Sequence, residues 1–240
     1  MRRASLHVCD CFALLDQLPD ESIDLVLTDP AYESLEQHRT KGTTTRLKKS
    51  GGSSNEWFPI FRNEHFPRLA AEYYRVLKND RHCYVMCDFT TARVIIPMFE
   101  AAGFKFWKPI IWDKVNIGMG YHYRCRYEMV LFFEKGKRRL RDLSVPDVLS
   151  FNRIRGGWPT EKPQDLCKVF IEQSTEPEHV VLDTFLGSGA VGCAAVLREC
   201  NIVGCDVQRT AVELSYQRIA VCGGMQSDLD KVVKGQARLF

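Results

Sequence analysis

Asp29, Pro30, Ala31 and Tyr32 close the stretch LVLTDPAYES, in which an apolar run delivers an acid, a rigid carbonyl and an aromatic ring to one place. That set suits an amino group. Asp29 can accept one N–H, the carbonyl of Pro30, a residue of fixed φ, can accept a second from the same nitrogen, and Tyr32 offers a flat face for stacking. An exocyclic amine of a nucleobase is a poor nucleophile because its lone pair is conjugated into the ring. Two acceptors holding its hydrogens draw the nitrogen toward a tetrahedral shape and free the pair for an electrophilic methyl. This is positioning plus electrostatics, with no covalent enzyme intermediate. Taken alone, the tetrapeptide is more simply a D-P turn ending a strand over a core tyrosine.

A second constellation changes that balance. HVVLDTFLGSGAVGCAAVL has the form strand, glycine turn (Gly187, Ser188, Gly189), helix. Backbone amides at such a turn and the helix start favour a cofactor passing close to the main chain. Asp206 ends the next apolar run nineteen residues after Gly187, where an acid can accept from ribose hydroxyls. Gly187, Gly189 and Gly192 also satisfy G-x-G-x-x-G, so a nicotinamide dinucleotide has to be weighed. Asp183 argues against it: a carboxylate just before the turn repels a pyrophosphate and suits a cofactor carrying an ammonium group, such as the methionine part of S-adenosylmethionine.

The elements that position these residues alternate apolar runs with amphipathic stretches, the pattern of an α/β layer fold. Strands are expected at Ser5–Cys9, Asp24–Thr28, His82–Cys87, Phe104–Trp112, Glu128–Phe133, His179–Asp183 and Asn201–Cys205, and a helix over Phe66–Lys78 with Leu69, Ala70, Tyr73 or Tyr74, and Leu77 on one face. Pro163 suits the first turn of a further helix. Only 51 residues follow Gly189, too few to complete a doubly wound sheet, so the cofactor turn comes late and the other strands lie upstream of it.

With 240 residues the chain fits one domain. It has no apolar run of membrane length and no secretion signal, which reads as a soluble cytoplasmic protein without a membrane partner. Its ten cysteines lack paired zinc spacing, so they are expected to be reduced thiols, with no metal site. Net charge is only +3, but basic residues bunch at Arg39–Lys49 and Lys135–Arg141. Residues 33–56, rich in Gly, Ser and Thr, read as a mobile loop, and residues 135–157 as a short insertion.

Together these motifs resemble the amino-methylating DNA methyltransferases, whose catalytic signature is D/N/S-P-P-Y/F and whose cofactor signature is an acid followed by F-x-G-x-G. The catalytic element precedes the cofactor element, as in the β class. CDCFALLDQLPDESIDLVLTDPAY, YYRVLKND, WPTEKPQDL, VLDTFLGSGAVGCAA and NIVGCD carry the resemblance over most of the chain. It implies a Rossmann-like S-adenosylmethionine-dependent methyltransferase fold, a mostly parallel sheet flanked by helices in permuted order. It implies Asp29, Pro30 and Tyr32 as catalytic residues, Asp10 and Cys11 beside the cofactor adenine, and Lys162 at the methionine end. Asp183, Phe185, Gly187, Ser188, Gly189 and Asp206 complete the S-adenosyl-L-methionine site.

DNA is then the partner, adenine N6 is favoured over cytosine N4 because Asp stands first in the signature, and a homodimer follows family habit in a bacterial or phage setting. The basic stretches, notably Lys48, Lys49, Arg138 and Arg139, are expected to contact nucleic acid. An inactive nucleic-acid-binding subunit, or an enzyme acting on RNA or protein amides, remains as a rival. Two departures stand out: Ala31 replaces the family's second proline, relaxing the restraint on Pro30, and Trp158 replaces a histidine before P-T-E-K-P.

Overall fold

The computed structural model describes residues 3–35, 59–118, 122–158 and 160–223. In chain order these form β1 (Ala4–Val8), α1 (Cys11–Leu15), β2 (Ile23–Thr28), α2 (Phe66–Val76), β3 (Leu77–Cys87), α3 (Phe89–Ala101), β4 (Lys105–Asp113), β5 (Tyr127–Lys135), β6 (Val148–Ser150), α4 (Gln164–Ser174), β7 (Val180–Asp183), α5 (Ala190–Leu197), β8 (Asn201–Asp206) and α6 (Arg209–Gly223). The eight strands make one sheet in the order β1-β8-β7-β2-β3-β5-β4-β6. Only β5 runs against the others.

Burial on both faces explains the unbroken apolar runs. Every residue of β2 is buried, with Leu25 and Leu27 in the core on one side of the sheet and Ile23 and Val26 in the core on the other. Helices α4, α5 and α6 cover the first side with Leu166, Phe170, Ala194 and Val212. Helices α1, α2 and α3 cover the second with Leu14, Leu69, Tyr73 and Phe99. A strand enclosed this way has no solvent face to alternate toward, so its polar residues fall at its ends.

Two neighbouring strands, β2 and β7, lie where the strand order reverses: β7 leads to β8 on one side and β2 leads to β3 on the other. Crevices at the carboxyl ends of such strands are the usual ligand sites of open α/β sheets. Asp29 and Asp183 both emerge there.

One boundary corrects the sequence reading. The helix expected to run to Lys78 stops at Val76, and Leu77 turns extended at φ −73°, ψ 131°. Leu77 pairs with Ile23, and Lys78 reaches Asp24 at 2.9 Å, so sheet pairing takes residues whose spacing continued the helical stripe. The ten cysteines are all free thiols, as expected.

Candidate active site

A cavity of about 420 Å³ opens at the carboxyl ends of β2 and β7. Its wall includes Asp29, Pro30, Ala31 and Tyr32 together with Asp183, Phe185, Gly187, Ser188 and Asp206, so the two constellations share one space. Asp10, Cys11 and Lys162 also line it. Gly189 is not among the lining residues: it caps α5 at φ 78°, where a Cβ would stand 2.7 Å from Ser215 Cα. Glycine is needed there for close packing as well as for the left-handed turn.

At the glycine turn, the carboxylate of Asp206 accepts from Gly187 N at 3.1 Å and from Gln208 N at 2.9 Å. Gly187 itself is left-handed, at φ 48°, and its carbonyl accepts from Ser215 Oγ at 3.1 Å. Arg218 on α6 braces the turn from behind, donating to Ser188 O at 3.0 Å and pairing with Glu161 at 2.7 Å. Glu161 in turn accepts from Trp158 N at 3.1 Å, which seats the W-P-T-E-K-P segment against the glycines. The Trp158 indole lies 3.5 Å from where a Gly187 Cβ would be.

Asp183 is buried, and one oxygen takes both of its hydrogen bonds, from Thr28 Oγ1 at 2.9 Å and Phe185 N at 3.1 Å. Burial outweighs those donors and pushes its carboxyl up to about 7. No basic side chain pairs with it among the described residues, so a cationic ligand in the cavity would meet an uncompensated carboxyl. Asp10 caps α1 through Phe12 N at 2.9 Å. Cys11 is buried behind it, its thiol driven up to about 12 by burial and by Asp10. The donor and acceptor set fits S-adenosylmethionine: an unpaired acid for the ammonium group, Asp206 for ribose hydroxyls, and apolar walls for the remainder.

The D-P-A-Y end is pinned from outside. Phe61 N donates to Ala31 O at 2.7 Å, and Phe61 bridges Tyr32 in parallel fashion. The Phe61 ring meets Phe185 edge to face at 5.1 Å, joining the D-P-A-Y segment to the one before the glycine turn. Ser34 donates to Asp88 at 2.6 Å, tying the residues after Tyr32 to the start of α3. These contacts constrain the backbone where the second proline is missing. Tyr32 is buried, and burial raises its phenol well above the usual range, so it stays neutral.

The acid itself has partners that sequence did not announce. Lys162 Nζ donates to Asp29 Oδ2 and lies 3.5 Å from Glu128 Oε2. Glu128, on β5, also receives Lys114 on its other oxygen. Burial pushes Asp29 up, and the Lys162 ammonium pulls against it. The side chain of Asp29 is 24% exposed and that of Lys162 10%, so the acid faces the cavity and the lysine backs it. Glu128, Lys114, Arg218 and Phe61 belong to no recognisable motif and their roles appear only in three dimensions.

The basic stretches divide. Lys48 and Lys49, with most of the expected loop at 33–56, lie outside the described residues. Arg138 and Arg139 are not brought to the cavity: their segment follows β5, whose last residue pairs with Arg81 near the start of β3, at the opposite end of the sheet. Several charges there are consumed by the fold. Lys135 is buried and donates to Tyr74 O at 2.9 Å and Leu77 O at 2.7 Å, and Arg141 donates to Thr175 O at 2.6 Å. Arg153 and Arg155, later in the same insertion, instead rim a hollow of about 360 Å³ that shares Glu128, Thr160 and Glu161 with the main cavity.

Among known proteins, a family model described as DNA methylase, of the N6/N4 methyltransferase type, matches residues 23–217. The DNA adenine methyltransferase YhdJ of Escherichia coli (strain K12) is 25% identical over 265 residues, spanning 94% of this chain and 86% of that one. The M1.HpyAVI–SAM complex superposes with a TM-score of 0.67 at 20% identity, covering 90% of this chain and 99% of the other. PvuII DNA methyltransferase, cytosine-N4-specific, gives 0.70 at 18% identity, covering 98% and 91%.

Proposed function

From the premise that this chain belongs to the S-adenosylmethionine-dependent DNA methylase family, we propose that it methylates the N6 amino group of adenine in DNA, using Asp29, the Pro30 carbonyl and Tyr32. One observation carries the reading: the D-P-A-Y segment and the acid-flanked glycine turn line a single cavity.

S-adenosylmethionine supplies an electrophilic methyl group when bound. Asp183 would take its ammonium, Asp206 its ribose hydroxyls, and Asp10 with the Cys11 backbone its adenine edge. The chain's own work lies on the amine. Lys162 occupies Oδ2 of Asp29, which leaves Oδ1 to accept an N–H from the target nitrogen. The Pro30 carbonyl accepts the second, and its aim is steadied by the Phe61–Ala31 hydrogen bond one residue on. A duplex base must leave the stack to reach this depth, at a cost of a few kcal/mol. Stacking on Tyr32 returns about 1–3 kcal/mol.

Asp at the head of the signature and the likeness to YhdJ support adenine. The same two acceptors serve cytosine, whose N4 is the target of the PvuII enzyme. Incubating the protein with unmethylated DNA and labelled cofactor, then identifying the product nucleoside by mass spectrometry, decides between them. N6-methyladenine that vanishes in Asp29→Ala is expected; N4-methylcytosine would overturn the base, and no methylated nucleoside would overturn the DNA substrate. The reading also includes a bacterial cytoplasmic setting and a homodimer, which sedimentation at assay concentrations tests.

A further inference from the structure

We propose that Glu128 is a positioning residue for methyl transfer, holding the Lys162 ammonium on Oδ2 of Asp29 so that the acid presents one fixed oxygen to the target amine. The inference deepens the function proposed above and rests on it. It concerns a residue of β5 that lies outside both signature motifs.

The geometry is an alternating chain of charge. Lys114 engages one oxygen of Glu128, Glu128 Oε2 faces Lys162 at 3.5 Å, and Lys162 engages Asp29. Glu128 Oε2 is buried and makes no hydrogen bond within the protein, so Lys162 is the cation it faces. The lysine precedes α4, whose first residues offer no side-chain cap. Its long stem has many rotamers, and a second anion is what confines it. Removing Glu128 frees the ammonium to slide toward both Asp29 oxygens, occupying the one the amine needs.

Charge balance points the same way. Asp29, Glu128, Lys162 and Lys114 sum to zero, and methyl transfer carries positive charge from the cofactor sulfur to the target nitrogen. Without Glu128 the cluster is net positive beside a cationic transition state, which is unfavourable where water is scarce. Without Lys162 the cluster is net negative, two carboxylates sharing Lys114 alone, which favours a proton on one of them. A protonated Asp29 no longer accepts on both oxygens.

These two deletions are therefore expected to displace the titration of Asp29 in opposite directions, which reads whether both charges reach the acid, and the fall in kcat reads whether that reach serves methyl transfer. Other groups that interact with Asp29 are Lys114 just after β4, Tyr32 on its own segment, Cys87 at the end of β3, Asp183 at the end of β7 and Cys167 on α4. None of them is substituted in either variant.

The test uses the full chain with ¹³Cγ-labelled aspartate, the Asp29 signal being assigned by its absence in Asp29→Asn. Glu128→Gln is expected to lower the Asp29 titration midpoint and Lys162→Met to raise it. In parallel, kcat should fall by about 10²-fold in each, the size expected for a misplaced catalytic group, with the cofactor Kd of Glu128→Gln unchanged. Midpoints that stay put or move together would overturn the proposal, as would undiminished turnover in Glu128→Gln. If one variant does not fold, the direction in the other still decides. The titration is read without any nucleic acid, so its outcome does not depend on which base is methylated.

Discussion

Replacing Asp183 by Asn should stabilise the cofactor-free protein at alkaline pH while crippling its cofactor site. Burial raises the Asp183 carboxyl from its ordinary 3.8 to about 7, so the folded state holds a proton that the unfolded chain has already lost. Stability then declines as pH rises from about 4 to 7, and the full penalty is present above 7. An interval of about 3 pH units corresponds to roughly 4 kcal/mol at about 1.4 kcal/mol per unit, of which roughly 2–3 kcal/mol develops between pH 5 and 8. Both hydrogen bonds to the side chain, from Thr28 Oγ1 and Phe185 N, fall on Oδ1, which an asparagine oxygen can reproduce. Its amide nitrogen then takes the place of Oδ2.

The assay is urea unfolding of wild type and Asp183→Asn at pH 5, 6, 7 and 8 without cofactor. The difference between the two curves isolates this group from every other one that titrates. The variant should gain roughly 2–3 kcal/mol on wild type across that range, a relative shift of roughly 5–10 °C in Tm for a chain of this size. In wild type, calorimetry should show cofactor binding weakening about tenfold per unit below pH 7 and releasing protons there, because the ammonium selects the ionised acid. Parallel stability curves, or pH-independent cofactor affinity, would refute both the burial argument and the assignment of the ammonium to Asp183.

Gly189→Ala should destabilise strongly, because its Cβ would meet the Ser215 backbone at 2.7 Å in a left-handed turn; a thermal melt within a degree of wild type would contradict this. Arg153→Ala and Arg155→Ala should each reduce the slope of log affinity for DNA against log salt by about 0.9 if the arginine meets a phosphate, whereas Arg138→Ala, at the far end of the sheet, should leave that slope alone. Ala31→Pro should change turnover by less than about threefold, since Phe61 already restrains the segment and the added ring brings little further order. A large gain in kcat would show that Pro30 is loosely held.

What could be read in the chain follows from what burial does to a sequence. Strands β2, β7 and β8 are enclosed on both faces, so each is an apolar run terminated by the acid it carries to the cavity, and Asp29, Asp183 and Asp206 were legible for that reason. The end of α2 was not, because Leu77 satisfies the helical stripe and the sheet equally well, and only its pairing with Ile23 decides. The two ends of the basic run, Lys135 and Arg141, are taken up by the fold for a related reason. Charge in a sequence shows a demand for a partner without saying whether the partner is a phosphate or a backbone carbonyl, and Tyr74, Leu77, Glu172 and Thr175 supply carbonyls there.

The contacts around Asp29 were illegible in a deeper sense. Lys162 and Glu128 come from a loop and from the one reversed strand, and no spacing rule links them. Reversal is what makes the contact available: β5 begins at the end of the sheet where its neighbours finish, so its second residue, Glu128, lies level with Asp29 rather than at the far edge. In a wholly parallel sheet that position would be the end of a strand followed by a crossover, and the charge would have to come from a loop. The fold thus places on a rigid strand the anion that confines a flexible lysine, and constraint of that kind is what a reaction driven by positioning requires.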